Sequence, residues 1–118
     1  MPRYHFQDMT DWLTAIFDAA GCPAEEAAQI AFNLVDADAS GHASHGLVRV
    51  PRYIDYIKTG TVRPVCAYDI ITEAGNLVLL DGNFSFGQVL GHHLVAKAAD
   101  LAKETGLGMI GLRHAGHL

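Results

Sequence analysis

Cysteine is scarce: Cys22 and Cys66 stand far apart, with no Cys-x-x-Cys pattern. Both read as reduced thiols of a cytoplasmic protein, with a bridge between them the minor alternative. Basic residues are few, eight Lys and Arg against thirteen Asp and Glu, for a formal net charge of −5. No basic run tracks phosphates, which argues against a nucleic-acid partner. No stretch approaches the roughly 18–20 apolar residues of a membrane span, so no membrane partner is expected. Met1 to Phe6 lacks the long apolar run of a secretory signal. What the chain does have is apolar character in half of its 118 residues. That is enough for a packed core, in one domain or in a small domain plus part of another.

The first part of the chain carries helical periodicity. Phe6, Met9, Leu13, Ile16, Phe17 and Ala20 recur at three- and four-residue steps, and Gly21 ends the run. Pro23 reads as the first residue of a second helix, with Glu25 and Glu26 in its first turn. Ala27, Ile30, Ala31, Leu34 and Val35 form its buried stripe, which runs out near Ser40-Gly41. A third helical pattern covers Leu47 to Lys58, with Pro51 in the first turn and Ser44-His45-Gly46 as its non-helical entry. After Arg63-Pro64 the pattern turns extended. Residues 69–72 and 77–80 read as strands around a hairpin turn at Ala74-Gly75-Asn76. Residues 87–104 read as a long helix and Leu107 to Leu112 as a buried strand. A strand leaving its helix feeds a further helix, so the chain reads as cut short within a domain.

The residues suited to chemistry crowd between Asp36 and Arg52. Imidazole trades protons near neutral pH and guanidinium grips carboxylates with paired hydrogen bonds, so His45 and Arg49 suggest proton exchange with a small carboxylic acid. Spacing alone also allows Ser44 to be a helix cap, His45 a surface ring and Arg49 a solvated cation. Tyr53 presents a hydroxyl beside Arg49, or packs its ring at a core rim. A Ser-His nucleophile pair is disfavoured, because neighbouring side chains on an incipient helix diverge. His42-x-x-His45, His92-His93 and His114-x-x-His117 raise the question of metal. No carboxylate or cysteine completes a ligand set, and no metal is expected. Gly82-Asn83-Phe84-Ser85-Phe86-Gly87-Gln88 precedes the long helix as a turn and cap or an anion site. It does not match G-x-G-x-x-G, so the Rossmann fingerprint is read as absent.

In order along the chain, Ala37-Asp38, Ser44-His45-Gly46, Arg49-x-Pro51-x-Tyr53, Gly60, Pro64, Asp81-Gly82, Gly87-Gln88, Gly111-x-Arg113 and Gly116-His117-Leu118 resemble the malate/L-lactate dehydrogenase family. That family also holds ureidoglycolate, sulfolactate and ketimine-reducing enzymes. The resemblance implies His45 as the acid/base, Ser44 as the residue that relays and orients it, and Arg49 as the substrate-carboxylate clamp. It implies His117 at the cofactor site, NAD or NADP as cofactor on a non-Rossmann fold, and a cytoplasmic homodimer. Tyr53 and Gln88 are expected as secondary substrate contacts. The family's chains run well beyond this length, so the sequence reads as an N-terminal fragment that is inactive alone.

The expected fold is α+β, in two parts. Residues 1–62 form a helical N-terminal domain carrying part of the substrate site. Residues 63–118 open a non-Rossmann α/β cofactor-binding domain. The expected function is hydride transfer between nicotinamide and a small 2-hydroxy or 2-oxo acid. The competing class is a non-catalytic helical module that binds metal or a partner through its histidines.

Overall fold

The three- and four-residue apolar spacing of the first segment becomes α1, Phe6–Ala19, which buries Thr10, Leu13 and Phe17. Thr10 tolerates burial because its hydroxyl donates to the Phe6 carbonyl at 2.8 Å. The second run becomes α2, Ala24–Ala39, with Ala27, Ile30, Ala31, Leu34 and Val35 buried. The small Ala27 and Ala31 let α2 lie close against α1, its main neighbour. Pro23 sits one position earlier than the sequence suggests: its ψ of 148° is extended, so it precedes the helix as its cap residue.

The end of α2 directs the chain toward the candidate site. Gly41, at φ +84°, takes the left-handed turn that ordinary side chains resist. The Gly41 amide donates to the Asp38 carbonyl and the His42 amide to the Ala37 carbonyl, at 3.0 and 2.7 Å. This paired reversal satisfies carbonyls that the last helical turn would leave open. Two 3-10 turns follow, Ala43–His45 and Leu47–Arg49, hinged at Gly46, before α3, Val50–Thr59. The sequence reading started this helix at Leu47 and left residues 44–46 unstructured. Both stretches are coiled, and the helix proper starts three residues later. Pro51 falls in the first turn of α3, where a missing amide proton costs no helical bond. Leu47, Val50, Ile54 and Ile57 share a half-buried side.

The computed structural model describes residues 2–117, and these gather into two compact units that divide between Val65 and Cys66. The core of the first unit holds Leu13, Phe17, Ile30, Leu34, Tyr53 and Val62. Phe17 and Tyr53 meet there as tilted rings 6.5 Å apart. Cys22 is buried too, and burial pushes its thiol up to about 11, with the charges of Glu26 and Asp18 adding. It stays protonated and poorly nucleophilic at neutral pH. Both cysteines are reduced thiols.

The second unit opens with the antiparallel hairpin β1, Asp69–Ala74, and β2, Leu77–Asp81. α4, Gly87–Thr105, then leads to β3, Met109–Arg113, which runs parallel to β2 and gives the sheet order β1-β2-β3. Alternation along β2 buries Val78 and Leu80, which join Phe86, Val89 and Leu90 in the core. Ser85 is buried and satisfied, its hydroxyl donating to the Ala67 carbonyl and accepting the Ala67 amide, both at 3.0 Å. β3 differs from the expected buried strand, because its ends are exposed and its middle only half-buried. The reason is its edge position, with a strand partner on one side among the described residues. Helices followed by a mixed sheet make this an α+β fold, as the sequence predicts. No helix among the described residues is long and apolar enough to cross a membrane.

Truncating Leu34, 1% exposed, tests the helical core. Leu34→Ala should lower the unfolding free energy by about 2–5 kcal/mol, read from denaturation of the helical signal. A loss well under about 1 kcal/mol would show that α1 and α2 do not share a close-packed core.

Candidate active site

The two 3-10 turns bring three of the expected site residues together. The Ser44 hydroxyl lies 2.9 Å from His45 Nδ1, and the Arg49 Nε donates to the Ser44 carbonyl at 2.6 Å. Ser44 therefore touches the imidazole with its side chain and the guanidinium with its backbone. The bond between adjacent side chains corrects the expectation that Ser44 and His45 diverge. That expectation assumed a regular α-helix, whereas Ser44 and His45 sit in an isolated three-residue turn and their side chains bend back to meet. The backbone of the turn is pinned as well, by His45 N–H to His42 O and Arg49 N–H to Gly46 O, each 2.9 Å.

Asp38, on the last turn of α2, has a part that the sequence did not disclose. Its Oδ2 accepts the Leu47 amide at 2.7 Å. A Cβ on Gly46 would overlap that same carboxylate, so only glycine leaves the approach open. A side chain bonding to backbone nine residues away has no local sequence signature. The pairing of Ala37-Asp38 with Ser44-His45-Gly46 was visible, but not its reason.

Ser44 and His45 are exposed and Arg49 is half-buried. His45 borders an open depression of about 610 Å³, lined also by Asn33, Asp36, Ala37, Ser40 and His42. The α2 residues in this wall were missed, since nothing in a helical repeat marks which polar positions will face a later turn. Tyr53 is 1% exposed, with its ring tilted against Phe17 in the core rather than at its rim. His42 and His45 border the same depression, yet no group of three metal-capable side chains forms among the described residues.

Gln88 and His117 belong to the second unit. Gln88 is buried in the first turn of α4, and His117 is half-buried in the segment after β3. The same unit holds a knot around Asp81, at the carboxyl ends of the parallel strands. Its Oδ1 accepts the Asn83 amide, and its Oδ2 meets His114 Nδ1 and Arg113 Nε, each at 2.9 Å. The Asn83 amide first, then His114 and Arg113, hold the Asp81 carboxyl down at about 2. Asn83, Phe84 and His114 all have positive φ, and the Phe84 and His114 rings stack 4.9 Å apart. The glycine spacing G-x-G-x-x-G does occur once, from Gly106 to Gly111, which the sequence reading overlooked. There it leads from α4 into β3, so it opens no helix and offers no amide cluster for a pyrophosphate.

The structure thus gathers an imidazole, a hydroxyl and a guanidinium around one serine. A family model described as malate/L-lactate dehydrogenase matches residues 4–118. The chain belongs to the malate/L-lactate dehydrogenase family. It is 34% identical over 110 residues to a malate dehydrogenase of Pyrococcus abyssi, covering 93% of this chain and 30% of that protein. It is 37% identical over 97 residues to an L-sulfolactate dehydrogenase of Methanocaldococcus jannaschii, covering 82% of this chain and 28% of that protein. The solved malate dehydrogenase of Pyrococcus horikoshii superimposes with a TM-score of 0.93 at 34% identity, over 98% of this chain and 33% of that one. The chain thus spans about 30% of the length of the curated relatives it matches.

The Asp81 knot sets an acid response. Its carboxyl ionises at about 2 when folded against an ordinary 3.8, so the contribution is complete above 3.8 and lost as pH falls toward 2. Acid unfolding followed by circular dichroism should steepen across that window in the wild type and flatten in Asp81→Asn. Equal slopes in the two proteins would mean the knot adds no pH-dependent stability.

Proposed function

We propose that this chain is the acid/base and carboxylate-binding part of an NAD(P)-dependent dehydrogenase acting on small 2-hydroxy or 2-oxo acids such as malate or lactate. The observation that carries this reading is the Ser44 contact with both His45 and Arg49. Family membership and the names of the relatives, malate, sulfolactate and lactate dehydrogenases, support the substrate class.

The chemistry then follows from the side chains. With Nδ1 engaged by Ser44, Nε2 is the ring atom that exchanges a proton with the substrate oxygen. In reduction the protonated ring gives that proton to the forming alkoxide, and in oxidation the neutral ring takes it from the hydroxyl. Ser44 holds the ring orientation through both. The Arg49 guanidinium, steadied through Nε, offers its Nη groups to the substrate carboxylate, which fixes the reacting carbon relative to the imidazole. Tyr53 and Gln88 are assigned secondary substrate contacts.

The cofactor we assign is NAD or NADP, which supplies or accepts the hydride. The residues present fit it in position, because the carboxyl ends of the parallel strands β2 and β3 form the edge where open α/β sheets take nucleotides. His117, in the segment leaving that edge, is the residue assigned to hold it. We further assign the complete protein to the cytoplasm as a homodimer.

In the complete protein, His45→Ala should lower kcat by about 10²–10⁴-fold with KM little changed, whereas Arg49→Ala should mainly raise the KM of the acid. Unchanged steady-state kinetics in either variant would remove its assigned role. The 118-residue chain alone should turn over no 2-hydroxy acid with NAD or NADP. Robust reduction of the nicotinamide by this chain would show that the site is complete without the remaining two thirds of its relatives' length.

A further inference from the structure

We propose that Asp38 is a positioning residue of the acid/base site. Its carboxylate locks the hinge at Gly46 and so sets the imidazole of His45 and the guanidinium of Arg49 in one geometry. Two observations converge on it. The Asp38 Oδ2 accepts the Leu47 amide at 2.7 Å, which ties the start of the second 3-10 turn to α2. The same carboxylate fills the space beside Gly46 that a Cβ would need, so the pair interlocks.

The lock sits where its effect is greatest. His45 ends one 3-10 turn and Leu47 begins the next, so Gly46 is the joint between imidazole and guanidinium. Gly46 holds an extended ψ of −146°, and rotation there would swing the two groups apart. The reach from Arg49 Nε back to the Ser44 carbonyl spans this joint and depends on its angle. Asp38 is itself rigid, because α2 carries it and its own carbonyl accepts the Gly41 amide in the helix-ending turn. A carboxylate accepting a backbone amide is a charge-assisted bond, stronger than its neutral counterpart. Asp38 touches neither reacting atom nor cofactor in this account, and acts only through the turn.

This inference rests on the reading of His45 and Arg49 as the acid/base and the clamp, and its test separates the two. In the complete protein, Asp38→Ala should lower kcat for a 2-oxo acid by on the order of 10- to 100-fold and raise that acid's KM. The KM of the dinucleotide should stay put, which a general loss of folded protein would not produce. Asp38→Asn keeps an acceptor oxygen and should recover most of the lost turnover. Gly46→Ala should be severely impaired in the wild-type background but add little further loss to Asp38→Ala, whose small side chain leaves room for the new methyl. On the 118-residue chain, amide exchange at Leu47 should quicken in Asp38→Ala while the α1 and α2 core amides keep their protection. Multiplicative losses in the double variant, or unaltered Leu47 exchange, overturn the proposal. Wild-type turnover in Asp38→Ala beside a crippled His45→Ala overturns it alone. Wild-type turnover in both variants overturns the reading of the site as well.

Discussion

The hydrogen bond from the Leu47 amide to the Asp38 carboxylate joins the helical scaffold to the turns that carry Ser44, His45 and Arg49. α1 and α2 close on each other through Leu13, Phe17, Ile30 and Leu34, and this packing makes α2 a fixed rail. Gly41 turns the chain off the end of that rail, and nine residues after Asp38 the backbone returns to meet it. Ser44, His45 and Arg49 lie on the loop so enclosed or just beyond its end. The stability of the core thereby passes to three side chains that are themselves exposed or half-buried and have little packing of their own.

A second constraint of the same kind organises the other unit. Asp81 ends β2, and its carboxylate gathers the Asn83 amide with the Arg113 and His114 side chains from the end of β3. The parallel pairing of β2 with β3 puts Asp81 opposite Arg113, so register and ion pair reinforce each other. Three residues other than glycine adopt positive φ around this knot, a costly conformation that persists where surrounding bonds over-determine it. The segment bearing His117 follows this knot in the chain and is tied back by the Gly116 amide to the Ser85 carbonyl.

Much of this was legible in the sequence. The helices follow from apolar spacing, and the hairpin from strand-forming runs either side of Gly75-Asn76. The α+β class follows from helical periodicity giving way to extended runs. The candidate residues stood out by type, although spacing alone also fits a surface imidazole and a solvated guanidinium. What escaped was whatever depends on a neighbour distant along the chain. The contact between Ser44 and His45 depends on side-chain orientation in a short isolated turn, which periodicity does not announce. The role of Asp38 needed the return of the chain to α2. The contact of the Tyr53 ring with Phe17 likewise joins residues far apart in sequence. β3 looked buried because its residues are apolar, yet an edge strand exposes them. The G-x-G-x-x-G from Gly106 to Gly111 shows the reverse hazard, a familiar spacing in a helix-to-strand junction that cannot use it.

The central claim, that His45 moves a proton beside a carboxylate held by Arg49, makes opposite demands on the ring in the two directions of reaction. The most direct test is the pH dependence of kcat/KM in the complete protein, followed both ways over roughly pH 5 to 8, where imidazole exchanges protons. Reduction of a 2-oxo acid should slow as pH rises and oxidation of the 2-hydroxy acid should quicken, with both trends abolished in His45→Gln. Profiles that move in the same direction, or that survive this substitution, would contradict the account.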